Sequence, residues 1–301
     1  MKNRVIVICG PTASGKTALA VGLAKRLQTE IVSADALLVY KGLNIGTAKP
    51  SEEEKEGIVH HLIDVVEPTE EFSVSDYEQR ALPVVKRLLN EGKSPIVCGG
   101  TGFYIQSLLY KSGFGGTPAN PFVREKYETM AKEKGAQAVH DCLRVVDSES
   151  ATLLHPNDLK RVIRALEIFE TTGKKKSEQN DERIPRFPFV AFSVDYSREE
   201  LYRRIERRVD SMLEAGLIEE VKTLLKTVPE SAQCMQGIGY KEVVEGLKEG
   251  WGVEAMSDII KRRTRNYAKR QQTYFKRMEQ LHSIEPNGSQ IDEVMRILCQ
   301  T

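Results

Sequence analysis

The 301-residue chain is 40% hydrophobic and 29% charged, with a formal net charge of +1, which is the profile of an ordinary globular protein and excludes a disordered or collagen-like one. No apolar run approaches the roughly 20 residues that span a bilayer, and VIVIC at 5–9 is too short for a signal-peptide core, so a cytoplasmic protein without membrane contact is expected. The five cysteines are scattered without a CxxC pair, which argues against a metal knuckle and a disulfide framework.

Arg4 to Cys9 reads as a buried parallel strand. It runs into Gly10-Pro11-Thr12-Ala13-Ser14-Gly15-Lys16-Thr17, which fits G-x-x-x-x-G-K-[ST] at every fixed position, and Lys16 to Leu27 has helical periodicity. Strand, glycine loop and helix in that order make a phosphate cradle. Backbone amides turn inward and the helix presents its positive dipole end to the same spot. Lys16 adds a point charge, and the Thr17 hydroxyl can ligate Mg2+ shared with the phosphates. The loop alone does not choose between nucleotide hydrolysis, phosphoryl transfer and a diphosphate that departs as leaving group.

Glu30 to Ser33 is a second short strand, with Asp35 just beyond it. An aspartate there can hold a metal, cap a turn, or take a proton from something bound opposite the phosphates. His60 and His61 lack metal-ligand partners and are read as structural. Val74 to Asn90 is helical in pattern, and Ser94 to Cys98 is a third strand leading into Gly99 and Gly100. Cys9 and Cys98, at strand ends, read as small buried hydrophobes. Strand–helix alternation of this kind predicts a parallel sheet covered on both faces.

Between about Thr117 and Asp181 the rhythm changes to helix-like segments, including VREKYETMAKEKG and NDLKRVIRALEIFETTG. Asn157 or Asp158 would cap the latter and Gly173 end it. The polar tract GKKKSEQNDER reads as a flexible link, Phe189 to Val194 returns to strand, and the remainder is largely helical. The expected organisation is an α/β core over 1–116 and 183–301, interrupted by a helical insertion over 117–182.

Residues 261–277 hold eight basic side chains and no acid, so the rest of a chain with net charge +1 carries −7. Such a run is costly unless a polyanion lies nearby, which points to nucleic acid and to Arg262, Arg263 and Arg265 as contacts. Tyr267, Tyr274 and Phe275 within it are read as facing the core.

GPTASGKT at 10–17, SAD-x-x-x-x-Y-KG-x-x-IGTAKP at 33–50, HHLID at 60–64, GGTGFY at 99–104, HPND-x-x-R-x-x-RALE at 155–167 and GIGYKE at 237–242 closely resemble the tRNA dimethylallyltransferases. The resemblance is ordered and covers roughly residues 5 to 275. It implies a P-loop NTPase-like sheet with an inserted all-helical subdomain. It also implies transfer of a dimethylallyl group from dimethylallyl diphosphate to N6 of the adenosine 3′-adjacent to the anticodon, with release of pyrophosphate and no need for ATP.

On that resemblance the 10–17 loop holds the isoprenoid diphosphate, Lys16, Thr17, Thr101 and Arg208 complete the clamp, and Asp35 is the general base. Arg204, four residues before Arg208 on the same helix face, can share the clamp. The reactive adenosine must be splayed into the protein. Asp35, Ala36, Leu37, Leu38, Thr101, Arg124, Lys160, Arg161, Arg164, Gly237 and Tyr240 fall at positions that grip the substrate RNA, the anticodon stem-loop of tRNA. Ala36, where many relatives have serine, and Leu38, where glutamine is common, weaken hydrogen bonding to the flipped base. The absence of a Cys-and-His finger resembles the bacterial type, and a monomer is expected. An adenylate isopentenyltransferase that accepts a free nucleotide is the rival reading, and a small-molecule P-loop kinase a weaker one.

Overall fold

The computed structural model describes residues 3–111, 119–178, 184–286 and 288–300. The expected insertion boundaries at 116/117 and 182/183 lie outside the described residues. The chain divides into two compact units, one of Met1–Tyr110 with Pro185–Thr301, the other of Lys111–Ile184.

The first unit opens with β1 (Val5–Cys9) and α1 (Lys16–Leu27), joined by the glycine loop. Then come β2 (Ile31–Ser33), α2 (Glu52–Lys55), β3 (His60–His61), α3 (Val74–Asn90), β4 (Ile96–Gly99) and α4 (Gly102–Leu109). The second unit holds α5 (Pro121–Lys134), α6 (Ala136–Val146), α7 (Ser148–Leu153) and α8 (Leu159–Thr172). The chain returns to the first unit with β5 (Phe189–Val194), α9 (Arg198–Glu214), α10 (Leu217–Leu224) and a 3-10 turn at Gln233–Gln236. It ends with α11 (Tyr240–Glu249), α12 (Val253–Phe275), β6 (Leu281–Ile284) and α13 (Gln290–Gln300).

Among the described residues the strands form one parallel sheet in the order β3-β2-β4-β1-β5-β6. Every residue of β1 is fully buried, which explains its unbroken apolar run. Alternate side chains serve opposite layers. Val5, Val7 and Cys9 join one core with Tyr104, Leu108 and Ile260. Ile6 and Ile8 join the other with Leu19 and Leu23 of α1 and Val294 and Leu298 of α13. Helix α3 begins where its sequence says it should, because Ser73 and Asp76 cap each other's backbone amides.

Two strands escape the sequence pattern. β3 is only two residues long, and β6 carries the polar His282 and Ser283 in a four-residue edge strand. Neither has enough alternation to register alone; pairing with β2 and β5 makes them strands.

The helical unit has its own core, including Val123, Tyr127, Val139, Leu143, Val162 and Leu166. Asp158 is the N-cap residue of α8, without a side-chain cap bond, and Gly173 ends that helix at φ 70°. Among the described residues no helix is long and apolar enough to cross a membrane.

Candidate active site

Parallel strands deliver the loops that follow them to one edge of the sheet, where ligands of open α/β folds bind. Cys9 is in register with Gly99, and Ser33 with Cys98, so the loops after β1, β2 and β4 emerge side by side. They line one cavity of about 820 Å³.

The β1 loop needs unusual backbone. Gly10 lies at φ 130°, where a Cβ would stand 2.6 Å from the Ser193 Oγ of β5, and Gly15 lies at φ 78°. Ser14 Oγ (2.9 Å) and Lys16 Nζ (2.6 Å) both donate to Pro11 O, fixing the curl of the loop from within. Burial pushes the Lys16 ammonium below its ordinary pKa, with Arg208 adding to the shift and Asp35 opposing it. Lys16 and Thr17 line the cavity with Thr12, Ala13, Ser14 and Gly15. Arg204 braces the loop from α9: its Nε donates to Ala13 O at 2.8 Å and its guanidinium lies over the Tyr196 ring.

Asp35 and Thr101 line the same cavity. Asp35 Oδ1 accepts the Leu37 amide at 2.9 Å, so the carboxylate does cap a turn, and Thr101 Oγ1 accepts the Ala36 amide at 3.0 Å. A Cβ at Gly99 would fall 2.1 Å from Ala34 O, so only glycine lets the β4 end approach this turn. Arg208 donates through Nη2 to Thr47 O at 3.0 Å and also lines the cavity. Burial lowers its pKa, opposed by Asp35 and Glu54. Cys98 is partly open to the cavity, yet burial pushes its thiol up to about 12 and keeps it protonated.

Ala36, Leu37, Leu38 and Gly237 line the cavity too, and a Cβ at Gly237 would meet Leu37 Cδ1 at 2.5 Å. Tyr240 is a correction. It is fully buried and donates its hydroxyl to Glu220 Oε1 at 2.7 Å, so it supports the fold rather than facing a ligand. Glu220 also accepts the amides of Asn44 (3.0 Å), Ile45 (2.8 Å) and Gly46 (3.1 Å). The GIGYKE and IGTAKP segments are thereby tied together at one carboxylate.

Three of the eight bases of the run pair with acids distant in sequence. Lys261 pairs with Asp210 at 2.6 Å, Arg263 with Glu242 at 2.7 Å and Glu245 at 3.1 Å, and Arg265 with Glu206 at 2.7 Å. The premise that eight bases stand without an acid is corrected by these pairs, while Arg262 is exposed. In the helical unit, Arg124 Nε pairs with the fully buried Glu167 at 2.8 Å, and Arg164 pairs with the same carboxylate. Burial alone would raise the Glu167 pKa, but these two guanidiniums outweigh it and hold the carboxyl below its ordinary value. Arg161 pairs with Asp158 at 3.2 Å near the surface, and Lys160 is exposed.

Sequence reasoning missed what α12 gives the cavity. Ile260, Thr264, Tyr267 and Gln271 line it at helical spacing, an uncharged stripe with Arg270 beside it. That stripe inside a basic run was the available signal. Tyr267 therefore faces the cavity and not the core, whereas Phe275 is buried and Tyr274 donates to Gln106. His61 is a partner of Glu30 at 2.6 Å, and His60 Nδ1 lies 2.9 Å from Ile58 O.

Among the described residues no group of three or more His, Cys, Asp or Glu side chains is arranged to hold a metal ion. A cation beside Thr17 would draw most of its ligands from a bound phosphate and water, the habit of magnesium.

A family model described as IPP transferase matches residues 38–278. The chain is 46% identical to the tRNA dimethylallyltransferase of Acetivibrio thermocellus, across 97% of this chain and 94% of that one. It is 47% identical to that of Alkaliphilus oremlandii, across 94% and 91%. Its fold is similar to the crystal structure of the tRNA isopentenylpyrophosphate transferase of Bacillus halodurans, with TM-score 0.75, 38% identity and coverage of 99% and 96%. It is also similar to a eukaryotic dimethylallyltransferase captured in crystals acting on tRNA, with TM-score 0.85, 31% identity and coverage of 98% and 78%.

Proposed function

This chain belongs to the IPP transferase family, the tRNA dimethylallyltransferases, and from that premise we propose how its cavity performs the transfer. The enzyme moves a dimethylallyl group onto tRNA. The donor is dimethylallyl diphosphate, and the acceptor is N6 of the adenosine 3′ of the anticodon, splayed out of the stem-loop into the cavity.

One observation carries the reading: Lys16 of the phosphate cradle and Asp35 of the β2 turn line a single cavity. As the allylic C–O bond breaks, negative charge gathers on the departing diphosphate and positive charge on carbon. The loop amides, Lys16 and Arg208 offer fixed positive charge to the diphosphate. The adenine amine attacks the allylic carbon, and Asp35 accepts its proton as the C–N bond forms, which restores the lone pair that the ring withholds. Thr101 orients that aspartate by holding the neighbouring Ala36 amide. Magnesium held between Thr17 and the diphosphate would neutralise leaving-group charge.

The purified protein, given dimethylallyl diphosphate, magnesium and unmodified tRNA without ATP, is expected to yield N6-dimethylallyl adenosine beside the anticodon. Equal prenylation of free AMP would overturn the acceptor assignment. A strict need for ATP would overturn the donor assignment. The free-nucleotide reading finds no support among the relatives compared.

A further inference from the structure

Helix α12 was legible in the sequence only as a carrier of positive charge. Its Gln271 is buried, 6% exposed, and both ends of its carboxamide are engaged. Oε1 accepts the Thr12 amide of the phosphate loop at 2.9 Å, while Nε2 donates to Gly100 O, after β4, at 2.9 Å. The approach is tight: a Cβ at Gly100 would stand 2.2 Å from Nε2. Only an amide has an acceptor and a donor on one planar group of this size. A carboxylate would set an oxygen against the Gly100 carbonyl, and leucine would leave a buried amide and carbonyl unpaired.

The contacts continue beyond Gly100. The next residue, Thr101, accepts the Ala36 amide through its hydroxyl and donates its own amide to Ala34 O at 3.0 Å. Ala36 follows Asp35, whose carboxylate holds the Leu37 amide. One turn before Gln271, Tyr267 lines the same cavity. Contacts thus run from the leaving-group side of the cavity to the side that carries the carboxylate, through the Gln271 side chain.

We propose that Gln271 is a positioning residue that sets the spacing between the phosphate loop and the Asp35 turn. The proposal rests on the reaction assigned above, in which the diphosphate and the proton acceptor must act on one allylic carbon and one amine at the same moment. A misplacement of about 1 Å between such groups is worth on the order of 10²-fold in rate. Gln271 gives its oxygen and nitrogen to the protein's own backbone, so its effect falls on the rate of the assembled complex and not on the binding of either partner.

The test is single-turnover transfer with saturating dimethylallyl diphosphate and tRNA, alongside direct binding of each and thermal unfolding. Gln271→Leu is expected to slow the single-turnover rate roughly 10- to 100-fold, with both dissociation constants within about threefold of wild type. Gln271→Glu keeps the volume and the acceptor for Thr12 but loses the donor to Gly100, and is expected to be slowed comparably. A Gln271→Glu protein as fast as wild type would overturn the bridge. So would a Gln271→Leu protein whose deficit disappears at saturation. If Gln271→Leu does not fold, Gln271→Glu decides alone: a rate roughly 10- to 100-fold slower with both dissociation constants near wild type is expected, and an unchanged rate overturns the proposal. Wild-type protein that transfers nothing to tRNA would instead refute the assigned reaction, so the two failures are separable.

Discussion

Gly237 and Leu37 meet so closely that a Cβ on the glycine would stand 2.5 Å from the leucine Cδ1. The two residues belong to segments 200 positions apart, and both line the cavity. Gly237→Ala should therefore push the leucine, and with it the 36–38 turn, raising KM for tRNA roughly 3- to 10-fold, the cost of modest overpacking. Leu37→Ala in the same protein should recover much of the loss. Steady-state kinetics of the two single variants and the double variant check this, and strict additivity of the two losses would refute it.

Asp35 has two duties that one substitution separates. Asp35→Asn keeps an oxygen for the Leu37 amide, preserving the turn, but cannot take a proton. Turnover should fall by roughly 10²- to 10⁴-fold while tRNA affinity stays within a factor of about three. Rapid-quench transfer assays and filter binding give the two numbers. Full activity in the asparagine variant would remove the aspartate from proton transfer.

The bases of α12 should behave unequally. Arg262 is exposed, so Arg262→Gln is expected to lower the salt slope of tRNA binding by about 0.7 to 0.9, one phosphate contact, without changing stability. Arg263→Gln instead takes the cation from Glu242, whose side chain is 2% exposed and keeps the Gly239 amide, and should cost about 1–3 kcal/mol in urea unfolding. Identical behaviour of the two variants would contradict the ion-pair assignment.

The helical unit should be acid-sensitive through Asp147. Burial alone raises its pKa, but hydrogen bonds from Ser150 and Ser177 outweigh it and bring the carboxyl down to about 2, from an ordinary 3.8. A depressed folded value means stability that is full above the unfolded pKa and lost as pH falls through the folded one. The contribution is roughly 2 kcal/mol. Chemical denaturation of wild type and Asp147→Asn should differ by a constant amount above about pH 5. The two should converge between 3.8 and about 2. A pH-independent gap would show that this carboxylate is not responsible.

What the sequence carried well was local. The β1 run, the glycine loop and α1 follow one another over 23 residues, and each is decided by its own periodicity and turn chemistry. Asp35 stood out because it ends a strand beside that loop. What stayed hidden depends on partners far along the chain. Arg263 looks free until Glu242 folds beneath it, and the pairing of Arg124 with the buried Glu167 joins residues 43 positions apart. Tyr240 sits in a motif and was read as a ligand contact, although its hydroxyl is given to Glu220. Gln271 was invisible for the opposite reason, an uncharged residue in a conspicuously charged helix.

The Thr12–Gln271 hydrogen bond joins residues 259 positions apart. A ribosome makes the glutamine 259 residues after the cradle's Thr12. Until then the Thr12 amide lacks its partner, and nascent chains released before α12 emerges should be inert however well β1 and α1 have formed. Closing so long a loop is also entropically late, which places maturation of this pocket among the last events of folding rather than the first.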